Sequence, residues 1–413
     1  MARDDRLPHP GVSGREFVAL IALLMAVGAL GTDLMLPALP AIGHGLAVGA
    51  NTTQYVITAY TLGFGFGQLF FGPLADRYGR KPVLVVSIAG FVVLSLIAGF
   101  ASSFPMLIAA RVLQGGFGAA TRVLVTSVVR DCYSGRRMAR VMSLASMLFF
   151  AVPILAPSLG VLVLQFGDWR ANFWTLAGLG AFILVWTSWR LPETLDPQAR
   201  RPISVSSIAD AYRQTLGNRF SLGYTLGMMT MFGALMGYIS SSEQIVSQVF
   251  HAGDRFPLIF AIIAIAMGTA IFGNAKLVER FGTRKLSHGA TLAVIVISAV
   301  HLAVALTGHE TLTSFVVLQA LQLAAAGLIG SNFSAMAMAP VGHIAGTAAS
   351  IQGFTSNVGA ALIGIAIGQQ FDGSTVPVAA GYLLCGLTVL AIILVTERGR
   401  LFVAHDAPLP PRA

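Results

Sequence analysis

Along this chain apolar residues neither alternate with polar ones, as in a half-buried strand, nor recur at the 3.6-residue period of a helix with one wet face. They run on in blocks of about 20, the length a helix needs to cross a bilayer. Twelve such blocks are present, at 17–38, 52–74, 82–101, 104–129, 138–166, 171–190, 219–249, 256–277, 286–306, 311–337, 343–370 and 375–396. A membrane β-barrel would show short alternating segments, and these runs are too long and too uniformly apolar for that. The pattern predicts an all-α membrane protein with twelve transmembrane helices.

Composition agrees. Of 413 residues, 55% are hydrophobic and 10% charged, and the mean hydropathy is +0.77. A soluble domain carries roughly a quarter charged residues, so a soluble enzyme of ordinary design is excluded. The 45 glycines show no collagen-like period and sit inside apolar runs, where small residues let helices approach closely. Cys132 and Cys385 fall in unrelated contexts, so neither a disulfide framework nor a zinc-type spacing can be built from them.

The net charge of +9 and pI near 10.1 could suggest nucleic acid, but the placement of the charges does not. With the N-terminus in the cytoplasm, 22 of the 26 Lys and Arg residues fall in cytoplasmic segments. Only Arg170 and Arg255 fall in outer loops, and Arg111 and Arg122 lie inside the fourth helix. The positive-inside rule therefore puts both termini inside, and the basic excess is topological, with anionic lipid headgroups as a secondary partner. The start of the chain, with Arg3, Arg6 and Arg15, lacks a small-residue cleavage site after its first apolar run, so removal as a signal peptide is not expected.

The longest cytoplasmic loop, with Pro192, Pro197 and Pro202, divides the chain into an N-terminal six-helix bundle (1–190), a linker (191–218) and a C-terminal bundle with its tail (219–413). The halves echo each other. Asp76-Arg77-Tyr78-Gly79-Arg80-Lys81 follows the second helix, and Glu279-Arg280-Phe281-Gly282-Thr283-Arg284-Lys285 follows the eighth. Such a trace of duplicated six-helix bundles is the arrangement of transporters with a central site between repeats.

On these residues the chain resembles the major facilitator superfamily. Gly72-x-x-x-Asp76-Arg77-x-Gly79-Arg80-Lys81 is similar to its loop 2–3 signature. Arg111-Val-Leu-Gln114-Gly115 resembles the fourth-helix signature of its proton-coupled members, and Pro153-x-x-Ala156-Pro157-x-x-Gly160 the fifth-helix motif of its antiporters. Thr32-Asp33-x-x-Leu36-Pro37-Ala38-Leu39-Pro40 is similar to the first helix of the Bcr/CflA group of drug exporters, and Asn332 through Ala349 to that group's helix 10–11 connection. The resemblance implies a proton-coupled exporter of small lipophilic compounds in a bacterial inner membrane. It would work as a monomer by alternating access, with no cofactor and the proton gradient as its energy source. The group exports diverse drugs and metabolites, so no single substrate follows.

An ionisable side chain at membrane depth costs about 2.5–3.5 kcal/mol to insert and asks for a reason. Asp33, Arg111, Arg122 and Glu243 are such residues. Asp33 lies beyond the midpoint of the first helix, just before Pro37 and Pro40. Low dielectric favours a neutral carboxyl and a passing cation favours the charged one, which lets proton and substrate compete for one group. The resemblance points the same way, since related exporters place an acid here. The structural alternative is an Asp capping a broken helix end. Arg111 gains a coupling role by resemblance, and a structural Arg bonded to backbone carbonyls at a kink stands beside it, with Gln114 sharing either duty. Arg122 follows Arg111 by eleven residues, about 20° from alignment on an ideal helix, so both face one way. A non-ionic residue is usual at this place in the group. An added cavity cation would favour anionic or electronegative ligands, and snorkelling to the cytoplasmic interface is the equal alternative. Glu243, late in the seventh helix, is a second protonation or cation site, or an interfacial Glu.

By resemblance, the loop of Gly72, Asp76, Arg77, Gly79, Arg80 and Lys81 is a conformational latch, and Asp131 is a candidate partner for its charges. Further substrate-contact candidates are Tyr55, Asn332, Gln352 and Asn357, beside Gln54, Thr61 and Gln68 in the second helix. Met228, Met229, Met231 and Met236 offer adaptable surface in the seventh. Each of these, taken singly, also fits helix packing. No phosphate-binding G-x-x-x-x-G-K-[ST] run is present, and Gly63-x-Gly65-x-Gly67 fits close helix packing better than a nucleotide loop. His301 and His343 lack metal-ligand spacing and read as packing residues. Three other functions stay open: a dedicated metabolite or siderophore exporter, a proton-coupled uptake symporter, and a membrane sensor without transport.

Overall fold

The computed structural model describes residues 13–133, 135–200 and 205–402. Arg3, Arg6, Arg201, Pro202 and Arg412 lie outside the described residues. Twelve helices of 20 residues or more dominate, with no strand among the described residues. In chain order they are α1 (Gly14–Asp33), α2 (Tyr55–Tyr78), α3 (Arg80–Gly99), α4 (Phe104–Cys132), α5 (Gly135–Leu164) and α6 (Arg170–Arg190). Then come α7 (Arg219–Gln244), α8 (Phe256–Phe281), α9 (Thr283–Leu306), α10 (Leu312–Met338), α11 (Ala345–Gly368) and α12 (Val376–Thr396). Each falls on one of the apolar blocks. Ten stretches are long and apolar enough to cross a membrane, one of them, Leu312–Gly368, holding α10 and α11 in tandem. The stretch missing from the ten is α2, which carries Gln68, Thr58, Thr61 and a run of glycines. It can carry them because neighbouring helices bury these side chains.

The outside of the molecule is apolar. Phe70, Val86, Phe166, Trp189 and Val395 are each more than 60% exposed, whereas Gln319, Gln322 and Arg111 are fully buried. A surface of this kind needs hydrocarbon around it, and helices are the structures that satisfy their own backbone there. The chain is a multi-pass membrane protein.

Within the first six helices α2 packs on α4, α3 on α4 and α6, and α1 on α5; within the last six α7 packs on α11, α12 and α10, and α8 and α9 on α10. Two packings cross between these sets, α2 on α11 and α5 on α8. The α2–α4 approach depends on missing side chains. A Cβ on Gly63 would stand 1.8 Å from the Val112 carbonyl oxygen, and one on Gly115 2.0 Å from that of Tyr60. This is the close packing that small residues permit in membranes.

Both described ends of the chain lie on one face, here the terminal face. There Arg190 at the end of α6 donates to both oxygens of Glu16 in α1, at 2.6 and 2.8 Å. In the second half Glu397, just past α12, takes Arg284 Nε at 2.8 Å and the Tyr224 hydroxyl of α7. The echo seen in the sequence is also a backbone echo. Gly79, between α2 and α3, has φ 103° and ψ 156°, and Gly282, between α8 and α9, has φ 79° and ψ 157°. Only glycine adopts this conformation readily, and it turns the chain sharply from one helix into the next.

The linker departs from the expected loop. Val205–Gly217 is a helix that packs on α7 and α11, burying Ala211 and Thr215. His343, read from the sequence as a packing residue, joins it through a 2.9 Å contact of Nε2 with Gln214 Oε1.

Candidate functional site

The first membrane crossing is not one helix. α1 ends at Asp33, a 3₁₀ turn occupies Leu36–Ala38, and a short helix, Leu39–Gly45, follows. Pro37 and Pro40 force this, since each lacks the N–H that would continue the ladder. The broken segment is held from outside: Asn172 of α6 donates to the Leu34 carbonyl at 3.1 Å. α5 closes in from the other side, where a Cβ on Gly160 would stand 2.6 Å from the same oxygen and 2.8 Å from Pro37 Cγ. The fifth-helix motif thus meets the break. Pro153 and Pro157 lie inside α5 about two turns and one turn before Gly160, each removing a ladder bond.

Asp33 is the last residue of α1 and is 6% exposed. Neither the 3₁₀ turn nor the short helix after it takes a side-chain cap, so the carboxylate is not a capping group there. Among the described residues none hydrogen-bonds or ion-pairs with it. Tyr60 of α2 lies within electrostatic reach of both Asp33 and Arg111.

Arg111 is fully buried and does not pair with Asp33. Its Nε donates to the Val56 carbonyl at 3.0 Å, one terminal nitrogen to the Gly31 carbonyl at 2.7 Å, and the other to Gln114 Oε1 at 2.7 Å. The guanidinium lies over Tyr60, 4.4 Å from the ring centroid. Gln114 passes the chain on to Ser95 of α3 at 2.6 Å. Arg111 therefore fastens α1 and α2 to α4 through backbone oxygens, and Gln114 is a strut between α3 and α4.

Arg122 is exposed, although it lies ten residues, about 15 Å, from the terminal-face end of α4. Phe149 of α5 lies 5.9 Å from its guanidinium carbon.

The opposite face is shut by amides. Gln54 Nε2 donates to Gln244 Oε1 of α7 at 2.5 Å and to the Gly368 carbonyl of α11 at 3.0 Å. Gln244 Nε2 donates to Asn51 Oδ1 at 3.1 Å; Asn51 Nδ2 reaches the Phe371 carbonyl at 3.0 Å; and Gln369 Nε2 reaches the Asn51 carbonyl at 2.6 Å. Beside this seal lies Glu243, 7% exposed, whose Oε1 takes the Ser247 hydroxyl at 2.6 Å. Ser247 belongs to a π-turn, Ile245–Val249, which extends α7.

The loop expected at Gly72–Lys81 is almost wholly helical, with Gly79 alone between α2 and α3, and this junction is an ion-pair knot. Arg80 reaches Asp76 at 2.5 Å and Asp131 of α4 at 3.2 Å. Glu193, which the sequence did not single out, accepts the backbone N–H of Arg80 and Lys81 at the start of α3. A carboxylate at a helix N-terminus is favoured by the free donors and the dipole there. Arg77 lies over its neighbour Tyr78. Gly72, farther back on α2, faces Ser350 of α11 across a gap that one Cβ would narrow to 3.3 Å.

The remaining sequence candidates are dispersed. Tyr55 is exposed at the start of α2 on the opposite face. Asn332 donates to Asn274 Oδ1 at 2.8 Å, joining α10 to α8. Gln352 joins α11 to Ser221 of α7 and the Ala337 carbonyl of α10. Asn357 bonds the Gly353 carbonyl of its own helix, where α11 passes Gly65. Thr61 likewise bonds its own helix, and Met231 and Met236 are packed core. His301, read as a packing residue, has a partner: its Nε2 lies 2.9 Å from Glu310 Oε1, and Gln322 Oε1 lies 3.2 Å from its Nδ1. No metal-holding cluster occurs among the described residues.

The sequence model of the Major Facilitator Superfamily matches residues 21–364. The chain belongs to the major facilitator superfamily. This is a family of transporters and not of enzymes. The chain is 26% identical to a bicyclomycin resistance protein homolog of Haemophilus influenzae, over 92% of this chain and 96% of the other. It is 28% identical to multidrug resistance protein D of Escherichia coli, over 84% and 87%. The E. coli xylose transporter XylE shares the fold with a TM-score of 0.70 at 13% identity, covering 92% of this chain and 97% of that one. Major facilitator transporters carry small molecules, and the broken first helix and the amide-bonded opposite face belong to one such carrier.

Proposed function

We propose that the protein is a proton-coupled exporter of small lipophilic compounds, of the Bcr/CflA kind, in a bacterial inner membrane. Its terminal face is cytoplasmic, its six-helix halves are 1–190 and 219–413, and 191–218 joins them. The observation that carries this reading is Asp33, a buried carboxylate without a hydrogen-bond or ion-pair partner among the described residues. A group so placed is free to exchange a proton for a ligand. The supporting frame is the break beside it, gripped by Asn172 and Gly160. The similarity to drug-resistance proteins supports the export direction.

In this mechanism a compound enters from the cytoplasm, by a recess that the reading places beside Arg122, while the amide seal is closed. Binding near Asp33 displaces its proton inward. The halves then rock, the seal parts, and a proton from the acidic outside returns to Asp33 as the compound leaves. Arg111 holds α1, α2 and α4 in register around this step, and Arg122 sets the charge preference of the recess. The Arg80–Asp76–Asp131 knot latches the cytoplasmic ends of α2, α3 and α4.

The test uses purified protein in liposomes loaded with a pH-sensitive dye, with neutral, cationic and anionic compounds added in turn. Compound-triggered proton movement, lost in a folded Asp33→Asn variant, is the expected result. Proton movement of undiminished size in that variant overturns the assignment.

A further inference from the structure

On the face opposite the termini, outside the amide seal, a cleft of about 400 Å³ opens between the outer part of the first crossing and the end of α7. One wall is apolar, built from Leu39, Pro40 and Val48, and the other presents Glu243, Gln244 and Gln248. This volume lies within the range of small-molecule sites, which pair apolar walls with few polar anchors. The anchor here is unusual. Glu243 is buried to more than nine-tenths, Ser247 satisfies one of its oxygens, and the other, Oε2, has no partner among the described residues. A buried carboxylate oxygen without a donor is costly unless a ligand or proton meets it. No Lys or Arg lines the cleft; the remaining titratable side chain in its lining is His44, exposed on the first-crossing wall.

We propose that this cleft is a binding site for a small organic ammonium ion, whose charge is held beside the Glu243 carboxylate and whose apolar body lies on Leu39, Pro40 and Val48. Gln244 belongs both to the cleft and to the seal, where its carbonyl accepts from Gln54 and its amide donates to Asn51. An occupant therefore touches a residue that must move when the seal parts. On the export reading above, this is where a cationic substrate pauses on its way out; occupancy itself does not depend on that reading.

The experiment is site-directed protection. In full-length protein with Cys132→Ala and Cys385→Ala, a Val48→Cys thiol is labelled with a charged maleimide in mildly alkaline buffer, with benzyltrimethylammonium as probe. At about ten times its dissociation constant the probe should slow labelling about tenfold by simple occupancy. Glu243→Gln, which keeps the shape and can still accept from Ser247, should abolish the protection, and Glu243→Asp should retain part of it. The labelling rate without probe reports whether each variant keeps the cleft. Equal protection by an uncharged analogue with carbon in place of nitrogen, or equal protection in Glu243→Gln, overturns the proposal, as does no protection in the parent protein. Asp33→Asn should leave protection intact. Protection retained while compound-triggered proton movement is absent from the parent protein, or undiminished in Asp33→Asn, sinks the antiport reading and leaves the cleft site standing.

Discussion

A guanidinium offers five donors in a rigid plane, and Arg111 aims them at oxygens on three helices. Lysine would keep the charge and lose that geometry. Arg111→Lys should therefore destabilise the protein by about 3 kcal/mol, the scale of stranding buried partners of a charge, read as a lower melting temperature in detergent. An unchanged melting temperature would show that charge alone is what the position needs. Arg122 predicts a different signature, because it is exposed, makes no hydrogen bond among the described residues and, on the proposed function, borders the substrate path. Arg122→Ala should weaken transport of anionic or electronegative compounds selectively, as measured compound by compound in liposomes; equal loss for all would mark the residue as structural. The sequence showed that these two arginines were costly and aligned on one face, but could not separate their roles. Two of Arg111's partners are backbone carbonyls 55 and 80 residues away in the chain, and a carbonyl has no residue identity to read. Glu193 escaped notice for a related reason, since it meets N–H groups at a helix start that any residue would present.

Helices were legible because hydrocarbon is a one-dimensional filter: a segment must be apolar for about 20 residues or it does not stay. The linker helix Val205–Gly217 was not, because 13 residues at a polar surface need only a narrow apolar stripe. That stripe, with Ala211 and Thr215 buried, is visible only when it is sought. The contact between α2 and α4 gives a paired prediction at this scale. A Cβ at Gly63 meets a backbone oxygen at 1.8 Å, whereas one at Gly116 meets nothing nearer than 3.6 Å. Gly63→Ala should cost about 1–3 kcal/mol by forcing the helices apart, and Gly116→Ala should be close to neutral. Thermal unfolding of the two variants side by side decides it. The sequence placed Gly63, Gly65 and Gly67 in close packing. It did not say that Gly65 faces a different neighbour, Val358 of α11, across the division between the halves.

At the scale of the molecule, the two sets of six helices meet along α2–α11 and α5–α8, and the opposite face is closed by Asn51, Gln54, Gln244 and Gln369. Gln54→Ala removes both of the bonds its amide donates across the division. A cysteine at Ser241, fully buried in α7 beside Gly368, should then react severalfold faster with a charged maleimide, because the variant spends more time open on that face. An unchanged rate would locate the closing force elsewhere, in the α2–α11 and α5–α8 packing. Of the four residues only Gln54 could be flagged from the sequence, since a seal exists only between partners that the chain keeps far apart. The four are also all uncharged. Parting them moves no ion of their own through the electric field across the bilayer, and dissolved salt has little to screen. The membrane voltage therefore has little purchase on the door itself. On the proposed exchange it acts instead on what passes through, the proton on Asp33 and the charge of the cargo, so that the cargo's valence would set how strongly voltage drives each cycle.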